Sequence, residues 1–245
     1  MKKGIFCIQK NQEIARDVFY MVLEGDTSAI TKPGQFINIA LDGLYLRRPI
    51  SVCDWGKGSV SIIYKVVGKG TSHMASLKSG QTLDVLCGLG NGFDVKDAGD
   101  APLLVGGGVG VPPLYGLAKA LINQGVTPSA VLGFQTKEDV FYAKEFESLG
   151  VKTTITTQDG SFGTLGLVTD VINDGKPSYI YACGPEAMLR AVYEKSLCDG
   201  QFSFEERMAC GFGACMGCSC KTKSGYKRIC KEGPVLRKDE ILWQI

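Results

Sequence analysis

Along the first hundred residues the apolar positions come in short β-rich runs separated by turn residues. The runs are residues 17–24 (DVFYMVLE), 35–41 (QFINIAL, after a Pro33-Gly34 turn), 60–67 (VSIIYKVV) and 82–87 (TLDVLC, after Lys78-Ser79-Gly80). Short strands at this spacing, punctuated by Gly and Pro, predict an antiparallel barrel or sandwich. Before the last run, Thr71 or Ser72 can cap a short helix over HMASLK, and Thr71 is the better placed. The pattern changes at residues 97–100 (DAGD), after which strand-like and helix-like segments alternate. PLLVGGG reads as a strand. A helix follows from near Pro112, because Leu114, Leu117, Ala118, Leu121 and Ile122 recur at i, i+3, i+4, i+7 and i+8. Proline suits a first helical turn. Further strands are expected at 130–134, 152–157 and 179–183, and a second amphipathic helix after Pro185. This alternation predicts a parallel, doubly wound sheet.

From about Gln201 the periodicity fades into a segment dense in cysteine and glycine, too short to build its own core. The expected organisation is a β + α/β fold. It has an antiparallel β-barrel over 1–98, a doubly wound α/β domain over 99–200 and a small cofactor-held lobe over 201–245.

Composition narrows the chemistry. Lys plus Arg number 27 against 25 Asp plus Glu, so no basic surplus marks a nucleic-acid surface. A single histidine excludes three-His zinc sites and His-x-x-x-His protease motifs. No apolar run approaches the roughly 20 residues needed to span a bilayer. The amino-terminal apolar run, Ile5 to Ile8, falls short of a signal core of about 7–15 residues. A reducing, cytoplasmic setting is therefore expected, in which clustered cysteines mean metal or redox chemistry.

Four of the ten cysteines lie between Cys210 and Cys220. The spacing Cys210-x4-Cys215-x2-Cys218-x11-Cys230 is the plant-type arrangement for a [2Fe–2S] cluster, whereas structural zinc sites usually show two separated Cys-x2-Cys knuckles. A zinc lobe and a group of free thiols are the alternatives. Gly211, Gly213 and Gly217 suit a tight loop that aims backbone N–H groups at sulfur. Cys220 does not fit the spacing and reads as a packed thiol.

Residues 105–113 (VGGGVGVPP) follow an expected strand and open an expected helix. Gly106, Gly107, Gly108 and Gly110 would let the backbone approach a pyrophosphate at the helix start. A tight strand-to-helix turn is the plainer reading. Glu138 or Asp139 could take the ribose, and no arginine nearby would hold a 2′-phosphate, which favours NAD over NADP.

Two arginines before a proline (LRRPIS, 46–51) would by themselves mark a solvated strand end. Placed in a barrel that precedes a nucleotide domain, Arg48-Pro49-Ile50-Ser51 resembles the flavin motif of the ferredoxin–NADP reductase superfamily, with Ile50 in place of the aromatic residue. The resemblance implies FAD, with Arg48 on its phosphate and Ser51 on the isoalloxazine. Ile63, Tyr64, Lys65, Gly70 and Thr71 would supply further contacts. It also implies that the Cys183-Gly184-Pro185 turn approaches the nicotinamide and puts Cys183 near the hydride path; a simple strand-to-helix turn is the other reading. His73, inside the short helix, is expected to be a surface or capping residue.

The order RRPIS, IYKVVGKGT, GGGVGVPPL, CGPEAM, the three close cysteines and Cys230-Lys-Glu-Gly-Pro-Val resembles, over essentially the whole chain, the electron-transfer subunits of class B dihydroorotate dehydrogenases. The resemblance implies an FMN-containing catalytic partner that oxidises dihydroorotate in pyrimidine (UMP) biosynthesis. Electrons would pass through the [2Fe–2S] cluster and FAD to NAD+, in an assembly of two catalytic and two electron-transfer subunits. Small subunits of NAD(P)H-dependent ferredoxin or sulfur/sulfide oxidoreductases are the related alternative. There an aspartate often replaces the first cysteine, so Cys210 favours the dihydroorotate assignment. A zinc-binding regulator built on a reductase fold is a third class.

Overall fold

In the computed structural model, which describes residues 1–243, the amino-terminal strands close on themselves. β1 (Lys2–Ala15), β2 (Val18–Glu24), β3 (Phe36–Ile39), β4 (Arg48–Gly56), β5 (Ser59–Lys65) and β6 (Thr82–Leu89) form an antiparallel barrel in the order β1-β2-β5-β4-β3-β6. Closure leaves no free edge to pair with another chain. Ile8, Leu23, Ile37, Ile39, Ile62 and Val85 fill the interior. The apolar pattern does not mark β1, because only Phe6 and Ile8 are buried along its 14 residues. Backbone ladders to β2 and β6 hold it instead.

α1 (Lys69–Ser76) closes over one end of the barrel and starts earlier than expected. Gly68 is its first cap, and Thr71 is the third helical residue. The Thr71 hydroxyl reaches back to accept the N–H groups of Val67 (2.9 Å) and Gly68 (3.2 Å). It thus plays the reciprocal half of a capping box.

The second half alternates as predicted. β7 (Pro102–Gly107), α2 (Val111–Ile122), β8 (Ser129–Phe134), α3 (Ala143–Ser148), β9 (Lys152–Thr157), β10 (Thr164–Leu165), β11 (Tyr179–Cys183), α4 (Glu186–Lys195) and β12 (Gly200–Ser203) follow one another. The remaining strands are the hairpin β13 (Ser219–Thr222) and β14 (Gly225–Arg228), then β15 (Val235–Arg237). The large sheet runs β10-β9-β8-β7-β11-β12-β15, parallel except for β15 against β12. α2 buries Leu114, Leu117, Ala118 and Leu121. The short α3 carries too few turns to show a period.

The carboxy-terminal lobe shares this sheet. Phe202 in β12 lies opposite Leu236 in β15. Both are buried in one apolar group with Ile229, Cys218 and Cys230. A segment too short for a core of its own is thereby built onto an existing one.

Barrel and sheet meet where α2 crosses β4. A Cβ on Gly116 would stand 2.7 Å from the Cys53 carbonyl oxygen, so the helix approaches the strand as closely as glycine permits. Beside it Lys119 Nζ pairs with Asp54 at 2.6 Å. Leu117 lies in the apolar group that spans this junction. Leu117→Ala should cost about 2–5 kcal/mol of stability, read from the urea unfolding midpoint. A loss near zero would mean that the junction does not carry the fold.

Candidate functional site

The four spaced cysteines meet in the lobe. Cys210, Cys215 and Cys218 lie between β12 and β13, and Cys230 follows β14. Gly211 (φ 75°) and Gly213 (φ 89°) take left-handed conformations that turn this loop. The Cys210 and Cys215 sulfurs stand 3.4 Å apart, and the buried Cys218 thiol accepts the Cys230 N–H at 3.5 Å. Among the described residues no three His, Cys, Asp or Glu side chains close on a single point. The thiols stand as two pairs, which suits a binuclear [2Fe–2S] cluster with two thiolates on each iron.

Electrostatics differ between the pairs. Burial works to raise the Cys210 pKa, but the N–H groups of Cys215, Phe212 and Ala214, with the Cys215 thiol, outweigh it and bring the pKa to about 6. Backbone donors aimed at sulfur favour the thiolate that a metal requires. Burial pushes Cys230 upward, and the Cys218 and Cys210 sulfurs beside it add to the effect, as expected of thiols packed together before a cation joins them. Arg228 fastens the turn that carries Cys230. It donates to the Gly213 carbonyl and forks onto Glu232, with Nε to Oε2 at 3.0 Å. Cys220 lies apart in β13, its pKa raised by burial.

A cavity of about 540 Å³ opens over the carboxyl ends of the parallel strands, where ligands bind in doubly wound sheets. Gly107, Gly108 and Gly110 line one side, Gly184 and Pro185 another. Gly106 does not line it. A Cβ there would strike Val111 at 2.9 Å, so Gly106 lets α2 pack on its strand. A Cβ on Gly110 would stand 2.2 Å from the Cys183 carbonyl oxygen, which joins the two turns. Pro112 and Pro113 remove two first-turn donors from α2. The helix start therefore offers an anion its dipole and the glycine backbone, not a full set of N–H groups.

Cys183 is buried at the end of β11, just before the Gly184-Pro185 turn that lines this cavity. Burial pushes its thiol up to about 12, Glu205 adds to the effect, and the Ser203 hydroxyl beside it works the other way. It is a neutral thiol, unsuited to nucleophilic attack. Glu205 lines the cavity, and sequence reasoning missed it. Part of its surface reaches solvent, yet protein crowds its carboxyl enough that burial raises the pKa. Of the two ribose candidates, Asp139 lines the cavity and Glu138 does not. Asp139 pairs with Arg16 (2.8 Å) and Lys65 (3.6 Å) of the barrel. Burial opposes its ionisation, but these two cations hold its carboxyl below the usual range.

At the α1 end of the barrel, Arg48 begins β4 with its guanidinium against Gly70, where a Cβ would stand 2.0 Å from Nε. Among the described residues it pairs with no carboxylate and turns to the carbonyls of Leu46 and Arg47. A half-buried guanidinium at a helix start, with no partner acid, fits a phosphate. Pro49, Ile50 and Ser51 continue along the strand, half-buried. Tyr64 is spent elsewhere: its hydroxyl donates to Asn11 Oδ1 at 2.9 Å, and its ring stacks on Phe19, so only its main chain remains for a ligand. Ile63 belongs to the apolar group between barrel and sheet. The Thr71 hydroxyl is used in the cap, and His73 sits half-buried in α1 and lines no cavity described above.

Residues 205–242, which hold all four spaced cysteines, match the iron–sulfur cluster binding domain of dihydroorotate dehydrogenase B, and residues 104–194 match an oxidoreductase NAD-binding domain. A dihydroorotate dehydrogenase B (NAD(+)) electron transfer subunit from a Geobacillus strain is 43% identical, over 99% of each chain. That of Fusobacterium nucleatum is 44% identical over 96% of each. The chain belongs to this family. Among solved structures, the NADH-dependent reduced ferredoxin–NADP oxidoreductase studied for flavin-based electron bifurcation superposes with a TM-score of 0.88, at 32% identity, over 98% of this chain and 90% of that one. Phthalate dioxygenase reductase, at 21% identity and a TM-score of 0.66 over 79% and 64%, shares the fold.

Cys215→Ser should abolish the cluster: iron, acid-labile sulfide and visible absorption beyond the flavin bands should be lost while far-ultraviolet circular dichroism persists. A variant with full iron and sulfide would refute the ligand assignment.

Proposed function

We propose that this chain is the electron-transfer subunit that carries electrons from an FMN-containing, dihydroorotate-oxidising subunit through a [2Fe–2S] cluster and FAD to NAD+, in cytoplasmic pyrimidine synthesis. The observation that supports this most is the four-cysteine lobe built onto the same sheet as the nucleotide cavity, in a chain that matches the family end to end. A bound flavin would take up electrons singly from the cluster and pass two of them on as one hydride, which joins one-electron chemistry to nicotinamide chemistry. The polypeptide's part is to hold each group in place.

Arg48, over Gly70 at the start of α1, neutralises flavin phosphate, and Pro49, Ile50 and Ser51 run on toward the ring. Lys65, Ile63 and the Tyr64 main chain close the barrel side. The loop at Gly107, Gly108 and Gly110 and the Gly184-Pro185 turn hold the dinucleotide, with Gly106 seating α2 on its strand, Cys183 just before the second turn and Glu205 at the edge. Cys210, Cys215, Cys218 and Cys230 hold the cluster. No step calls for a histidine base, in keeping with a chain that has a single His.

A partner subunit, in a two-plus-two assembly, is part of the same reading. The cluster loop presents Phe212 and Met216 to solvent, at 43% and 60% exposure, the β13–β14 hairpin adds Tyr226 at 69%, and apolar side chains exposed beside a redox centre suit a docking surface. Among the described residues no helix is long and apolar enough to cross a membrane. The second reading, a small subunit of an NAD(P)H-dependent ferredoxin or sulfur/sulfide oxidoreductase, draws on the likeness to the bifurcating enzyme.

The deciding experiment is anaerobic. The chain is co-purified with the FMN subunit from the same source, and dihydroorotate and NAD+ are added. NADH formation at 340 nm that requires this chain is expected; flavin and iron without NADH would hand the assignment to the second reading. Arg48→Ala should weaken FAD retention by about 1–3 kcal/mol, the worth of one charged hydrogen bond. Unchanged FAD occupancy after dialysis would remove Arg48 from the flavin site.

A further inference from the structure

Asn38 stands between the two redox-bearing parts of the chain. Its neighbours in β3, Ile37 and Ile39, belong to the barrel interior, so the two-residue alternation of the strand turns Asn38 outward, toward the lobe. It is 1% exposed. Its Nδ2 donates to the Cys210 carbonyl at 3.4 Å, and a Cβ on Gly211 would stand 2.2 Å from that nitrogen. On its other side Asn38 lies opposite Pro49 of β4, inside the Arg48–Ser51 segment. Proline supplies no N–H to this ladder. The Asn38 carbonyl accepts from Arg47 Nη1 at 3.3 Å instead.

Asn38 Oδ1 has no hydrogen-bond partner. Flipping the amide would not relieve this, since Oδ1 would then face the Cys210 carbonyl, another acceptor. A half-satisfied buried amide costs stability, and a leucine of similar volume would suit an apolar contact better. Sequences keep such local violations where function requires them.

We propose that Asn38 is a positioning residue for electron transfer. It ties the first cluster ligand to the barrel strand that carries the flavin segment, and through the Cys210 carbonyl it tunes the cluster. Contacts just outside the ligands set the orientation and potential of iron–sulfur centres. The proposal rests on the reading of the lobe as a [2Fe–2S] site and of β4 as the flavin strand.

Two variants of the full chain test it, reconstituted with iron and sulfide. Asn38→Leu removes both polar ends. It should be at least as stable in urea as the unaltered protein, with full iron and sulfide, yet show a shifted midpoint potential and altered g-values in the electron paramagnetic resonance spectrum of the reduced cluster. Asn38→Asp replaces the donor with a carboxylate oxygen beside Cys210 and should lower the cluster potential. Should the aspartate variant not fold, the leucine variant decides. A potential and spectrum unchanged in Asn38→Leu would overturn the role given to Asn38 while leaving the cluster in place. An unaltered chain that takes up no iron or sulfide would overturn the cluster reading, and this proposal with it.

Discussion

The contact of α2 with β4 at Gly116 positions everything else, because each element begins at a segment proposed to bind a ligand. β4 starts at Arg48, and α2 starts just after the Gly108–Gly110 turn. With no side chain at 116 to keep the helix from the Cys53 carbonyl, the two starts are held in one frame. The Lys119–Asp54 pair is partly exposed and adds register more than energy. The apolar group around Leu114, Leu117 and Ile63 supplies the energy. One helix–strand crossing thus fixes the start of β4 relative to the glycine turn before α2.

The lobe answers a different constraint, since thiols that ligate a metal must gather before any ligand bond can hold them. β12 and β15 do this by sending the chain out of the sheet and bringing it back beside itself. Between those strands the loop is shaped by left-handed glycines at 211 and 213 and closed by the Arg228 fork onto Glu232. Backbone donors around Cys210 then favour thiolate where burial alone would not. Part of the cluster's folding requirement is therefore met by the nucleotide domain.

Much of this was legible along the chain, and the misses have physical causes. β-rich runs between turn residues marked β2 and β5, an apolar run ahead of the glycines marked the fully buried β7, and the 3.6-residue period marked α2, whose apolar face is buried. β1 escaped because its ladders hold it and its side chains are mostly wet. Cysteine spacing pointed to the lobe, since metal geometry restricts sequence strongly. Side-chain destinations were less visible. Tyr64 sits in a flavin-like segment yet turns into the barrel, and Thr71 serves its own helix. Pro112 and Pro113 suit a helix start and also remove donors from it, which weakens the anion argument that the glycine loop invites. Glu205 and Asn38 carried no local signal, because their meaning lies in what folds against them.

The acids and thiols around the cavity complete the picture. Cys183 is held neutral by burial, and Asp139 is committed to Arg16 and Lys65. A site short of free bases near neutral pH suits hydride and electron transfer, in which the polypeptide fixes distances and the cofactors carry the charge. Glu205 is the exception among the cavity's acids. Its carboxyl lies at the edge without a cationic partner among the described residues, and burial already weakens its ionisation. A cationic ring placed against it would favour the ionised form again, so occupancy of the cavity and the charge on Glu205 are linked through the same carboxylate.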